Sequence, residues 1–209
     1  MQNNNLLKKA MLALLLTAAV PTLTAQVHVG DILCEGNAIM SPANYPASGA
    51  TAIGVVFYVD NTGQHGWAVA LQDEGSYRWG ANCYDTPLPN YGNRRQAIYD
   101  LDGYSNTLIV RQHSTDHPAF YAVDFENGWY VPTIGQLNCL YGNLVEVNTS
   151  LIVTGGIAFS NSWTYWSSTE SGFASAWAMS SSGGLDDYYG PNSYDGKNSS
   201  FRVRGVRNF

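Results

Sequence analysis

The sequence predicts an α+β domain built mainly from antiparallel strands, with about two helices. Strand-like stretches outnumber helical ones and fall in hairpins, most plainly Ile53 to Val59, the turn Asp60-Asn61-Thr62-Gly63, and Trp67 to Leu71. One stretch has clean helical spacing, Leu137, Leu140, Tyr141, Leu144 and Val145. It follows Thr133, a good N-cap, with Gln136 three residues on completing a capping box. The chain has no internal repeat.

In chain order, Lys8 and Lys9 precede an apolar run, Ala10 to Val20, of signal-peptide length and too short to span a membrane. Residues 1–25 are therefore expected to be a signal peptide and 26–209 a single domain. Export through that signal would place the protein in the periplasm, at the cell surface or in the medium. The chain has 209 residues and a net charge of −6, and without the two lysines the charge is −8. That balance argues against a nucleic-acid or anionic-membrane partner. Charged residues are few (12%) and aromatic residues many (13%), which suits a rigid exported domain rather than a disordered one. Of the three cysteines, Cys139 reads as a small buried hydrophobe, while Cys34 and Cys83 could pair.

Val27 to Leu33 reads as an edge strand, Glu35 to Thr51 as loop, and Asp73 to Asn93 as a long loop. Arg94 to Tyr99 can start a helix, and Asn106 to Phe125 is read as helical over its second half because Pro118 interrupts it. Tyr165 to Glu170 is strand-like. Phe201 to Val206 nearly alternates, with a one-residue slip at Gly205, as a bulged interior strand would.

Residues 180–200 contrast with everything around them. Of these 21 residues, 18 are Ser, Gly, Asp, Asn or Tyr, so the segment should lie on the surface. Loop-rich binding surfaces use this composition, with Tyr as rigid contact area and Ser, Gly and Asn as adaptable hydrogen-bonding groups. An ordinary solvated loop shares it. The candidate ligand-binding residues are Asp186, Asp187, Tyr188, Tyr189, Asn192, Tyr194, Asp195 and Asn198. The Trp79 to Tyr91 loop is the next candidate.

Gly-Trp-Tyr-Val-Pro-Thr (128–133) before a helix, Tyr-Trp-Ser-Ser-Thr-Glu (165–170), Trp177 and the terminal Val-Arg-Gly-Val-Arg (203–207) together resemble a large exported bacterial family of unknown function. The early Val29-Gly30-Asp31-Ile32-Leu33 and the hairpin through His65-Gly66 are similar to its members too. The resemblance covers roughly residues 27–209. It implies a C-type-lectin-like fold related to the formylglycine-generating enzymes, with Trp129, Trp166 and Trp177 in the core. Some similar proteins are diversified at the C-terminus by retroelements that enrich Asn, Tyr, Ser and Asp, the residues of the insert.

Catalytic and metal signatures are weak beside this one. The Glu-Pro-Asn and Trp-Asn-Asp sets of calcium-dependent lectins are absent, and Gly190-Pro191-Asn192 lacks the acid. Asp100-Leu101-Asp102-Gly103 reads better as a turn than as a calcium loop, and Asp186, Asp187 and Asp195 only weakly as a cation cluster. His113 and His117 are four apart, but Ser114-Thr115-Asp116 between them is not a metalloprotease pattern, so a surface segment is expected. His65 reads as structural. No cysteine pair matches the redox pair of the formylglycine generators. The expectation is a ligand-binding module at a surface, taking a glycan or protein, with no cofactor, metal or membrane span. An enzyme of the formylglycine-generating type, or a structural part of a surface appendage, is the alternative.

Overall fold

A computed structural model describes residues 26–81, 85–160, 162–180 and 196–209. Among the described residues, nine strands form two sheets. They are β1 (Ile32–Cys34), β2 (Ile39–Met40), β3 (Ala52–Val59), β4 (Gly66–Ala70), β5 (Gly75–Arg78), β6 (Thr164–Gly172), β7 (Ser175–Ser180), β8 (Ser200–Val203) and β9 (Val206–Asn208). The first sheet has order β2-β1-β3-β4-β9 and the second β5-β8-β6-β7. Every pairing is antiparallel except β6 with β8. The α+β class and the antiparallel majority are as expected.

The described residues hold six helices rather than two: α1 (Tyr45–Ser48), α2 (Arg94–Ala97), α3 (Gly103–His113), α4 (Pro118–Ala122), α5 (Ile134–Gly142) and α6 (Leu144–Val153). Half are single turns of four or five residues, too short to show a period. The second half of the Asn106 region carries a helix as expected, the short α4, while α3 occupies the first half, where none is expected. Asp102 caps it by accepting from the Ser105 amide at 3.0 Å, and Pro118 opens α4 instead of breaking a helix. The capping box is present: Thr133 Oγ1 accepts from the Gln136 amide and Gln136 Oε1 from the Thr133 amide. The single long helix expected there is divided at Asn143, whose side chain donates to the Phe57 carbonyl at 3.1 Å. Gly135 lies where α5 crosses the Ile98–Asp100 segment, and a Cβ on it would collide with the carbonyls of Ile98 and Asp100.

Two further strand expectations fail for lack of local signal. β1 is not an edge, because the loop after it contributes the two-residue β2, which takes that place. The Asp73 to Asn93 loop contains β5. The terminal strand is broken at Arg204-Gly205, so that β8 is interior to the second sheet and β9 is an edge of the first.

The chain thus crosses between sheets twice, from β4 to β5 and from β8 to β9, and the crossings run side by side. The Ala70 amide donates to the Gly205 carbonyl and the Glu74 amide to the Val203 carbonyl, both at 2.9 Å. Arg204, 2% exposed, holds the corner. Its guanidinium donates to the carbonyls of Ala70 (2.8 Å) and Leu71 (2.7 Å), stands 3.5 Å from Asp73 and stacks on Phe159. Arg202 pairs with the other Asp73 oxygen at 2.5 Å and lies over Trp163.

Strands β6 and β7 of the second sheet are buried on both faces, whereas β5 and the start of β8 reach solvent. Tyr165 and Trp177 join the apolar cluster of Phe57, Leu137, Leu140 and Val206, while their neighbours Trp166 and Ala176 join Trp79, Val110, Phe120 and Val203 on the other side. Period-two alternation therefore sends successive side chains into two different clusters, which is why Tyr165 to Glu170 is buried without interruption. The three core indoles all reach carbonyls: Trp79 that of Ser167, Trp166 that of Tyr77, and Trp177 that of Tyr91, at 2.8–2.9 Å.

Candidate functional site

The polar insert leaves and rejoins the second sheet at opposite ends of β7. Ser180 is paired with Thr164 on β6, whereas Gly196 bridges to Ser175. Residues 181–195 join these points and lie outside the described residues, and with them Asp186, Asp187, Tyr188, Tyr189, Asn192, Tyr194 and Asp195. Asn198 is described and is exposed. Cys83, the proposed partner of buried Cys34, is also outside them, and Cys139 packs half-buried against the first cluster.

The stem of the insert departs from the surface expectation. Lys197 is completely buried and forms an ion pair with Glu170, also completely buried, the last residue of the Tyr-Trp-Ser-Ser-Thr-Glu motif. A lysine can be buried here because the carboxylate and the Phe173 carbonyl, 3.1 Å from Nζ, accept its hydrogen bonds, while its charge sits over the Trp79 ring, 4.8 Å from the centroid. The second Glu170 oxygen accepts from the Thr86 hydroxyl at 2.7 Å. Backbone bonds fix both residues. Lys197 donates to Ala174, Gly80 donates to Lys197 and Tyr91 donates to Glu170, each at 3.0 Å. Burial pushes the Glu170 carboxyl above its usual value, opposed by Lys197 and Thr86.

His117 belongs to the same region and is not the surface residue expected. It is fully buried, edge-on to Trp79 (5.4 Å between ring centroids), whereas His113 is exposed. Burial holds its imidazole below the usual value, and the hydrogen bond to the Trp79 backbone works against that. Trp79 itself is core, which removes it from the second candidate loop; Tyr91 is half-buried. His65, in the β3–β4 turn, is exposed.

The other polar centre is Asp100. One of its carboxylate oxygens accepts from Asn106 (2.9 Å) and Thr169 (2.8 Å), and its carbonyl accepts from Thr133 Oγ1 (2.6 Å). Thr169 Oγ1 in turn accepts from the Ile134 amide at 3.0 Å. Burial raises the Asp100 carboxyl, and the Thr169 and Asn106 bonds oppose this. Asp100 and Asp102 thus serve a side-chain network and a helix cap, as a turn reading implies.

Glu170 reads from sequence as the end of a strand motif and Lys197 as one position of a polar surface segment, and nothing local joins them. The available signal was Lys197 itself, the one cation in an otherwise neutral or acidic insert. Its partner lies 27 positions away, beyond the reach of any local pattern.

No protein-family model matches the chain, and no curated protein matches it. No helix among the described residues is long and apolar enough to cross a membrane. Among solved structures the chain is similar to a fimbrial protein from Bacteroides ovatus, at a TM-score of 0.65 and 20% sequence identity. The match covers 88% of this chain and 49% of the other, so the chain spans about half the length of that protein. At this identity the likeness is one of fold, and the fold is one that a fimbrial protein also has.

Proposed function

We propose that this chain is an exported component of a surface appendage, with a C-type-lectin-like arrangement of strands and helices, and that it acts by assembly and contact rather than catalysis. The fold likeness to a fimbrial protein carries the reading. It favours the assembly role over ligand recognition as the primary one. The polar side chains support it, because the three titratable groups brought together around Trp79, namely Glu170, Lys197 and His117, are sealed from solvent and serve packing. The test is to shear washed cells that make the protein, pellet the released filaments and probe them with antibody to this chain. The chain is expected in the filament fraction; confinement to the periplasm of cells bearing intact appendages overturns the reading.

In this proposal the insert supplies the contact surface. Its composition and the anchoring of its stem support that: a loop rooted in a rigid sheet loses less entropy on binding. A contact surface needs exposed tyrosines, so on this proposal replacing Tyr188, Tyr189 and Tyr194 with Ala should leave the melting temperature nearly unchanged. The same change should abolish binding to whichever glycan-array or envelope-protein probe the wild type retains, at about 2 kcal/mol or more per tyrosine. Unfolding of the triple variant would assign the tyrosines to the core instead.

A further inference from the structure

We propose that Glu170 and Lys197 condense after folding into a side-chain amide, a covalent cross-link between β6 and the segment leading into β8.

The geometry provides what such a reaction needs. Nζ of Lys197 is in contact with Oε1 of Glu170, and neither side chain has any solvent exposure. Their backbones are held by the bonds to Ala174, Gly80 and Tyr91, so the two groups meet whenever the chain is folded. Fixed neighbours of this kind react as though at effective concentrations of about 10⁵ M or more, which bulk amines and acids never reach. Burial also raises the Glu170 carboxyl, and passing the proton from Nζ to the Oε1 it touches removes a charge pair from a dry site rather than creating one.

The step balances without any other reactant. The neutral amine attacks Cδ of Glu170. Negative charge develops on Oε2, where the Thr86 hydroxyl already donates at 2.7 Å and can stabilise it. Oε1 departs as water, carrying two of the three ammonium protons, and the third stays on the amide nitrogen. One C–N bond forms, one C–O bond breaks, and nothing is oxidised or reduced. Oε2 remains as the amide oxygen, still bonded to Thr86.

The consequence is specific to this fold. The bond would close residues 170–197 into a ring holding β7 and the insert. The insert would then be tied at its returning end by a covalent bond rather than by an ion pair, and proteolysis within it would not free the stem.

Mass spectrometry of the purified, reduced full chain tests this. The wild type is expected to be lighter than its sequence by one water, and a tryptic digest should yield a branched peptide joining residues 170 and 197. The Lys197→Arg variant, which cannot form the amide, should keep its full mass. A Thr86→Val variant should accumulate the link more slowly. A folded wild type that stays at full sequence mass after prolonged incubation overturns the proposal, as does a water loss that maps to any other pair. The wild-type measurement decides the matter even where a variant fails to fold.

Discussion

Replacing Trp166 with Ala is expected to destabilise the protein by about 3–5 kcal/mol, the usual range for truncating a large buried aromatic. Trp166 has no exposed surface, packs against Phe201 at a centroid distance of 4.5 Å and donates its indole N–H to the Tyr77 carbonyl. Truncation empties the centre of the second cluster and leaves that carbonyl without its indole donor. It sits on β6, which pairs with both β7 and β8, so the void cannot close by moving one edge strand. Urea denaturation followed by tryptophan-independent circular dichroism gives the number. A loss below about 1 kcal/mol, the size expected of a surface site, would show that the cluster is not closed as described.

The second large effect is at the corner. Arg204→Met should cost about 3 kcal/mol or more, because it leaves the buried Asp73 with one cation instead of two and removes the guanidinium from the Ala70 and Leu71 carbonyls. Arg202→Met is the internal comparison. That side chain touches the same carboxylate but is 31% exposed against 1% for Arg204, so its loss should cost no more than about 1 kcal/mol. Equal costs for the two variants would mean that burial does not set the strength of this pair. Paired denaturation curves at one pH decide it.

Much of the fold is legible in local sequence where the signal is itself local. The β3–β4 hairpin is announced by its turn, and α5 by Thr133 and Gln136, whose reciprocal bonds span three residues. The buried Tyr165–Glu170 strand is legible as a strand, but not as one facing two clusters. α3 is not legible because its sequence, GYSNTLIVRQH, mixes buried Asn106 and Thr107 with apolar positions, so hydrophobic period understates a face that is buried partly through hydrogen bonds. The break at Arg204-Gly205 reads as a bulge because a slip in alternation is all that a change of sheet leaves in sequence. The site was harder still. Lys197 sits among Ser, Gly and Asn and looks solvated, and only the long return of the chain brings it to Glu170.

The paired crossings at Arg204 also govern when the molecule can fold. The contact between Arg204 and Ala70 joins residues 134 positions apart, and β4 and β5 each wait for a partner from the last ten residues of the chain. A chain emerging from the ribosome can form the β3–β4 hairpin early, but β8 and β9 come much later in the chain, and each sheet lacks one of its members until they arrive. High sequence separation of this kind makes closure slow, because a large loop must be ordered before its contacts repay the entropy. The corner therefore acts as a timer: it keeps both sheets open until β8 and β9 have been made and then commits them together.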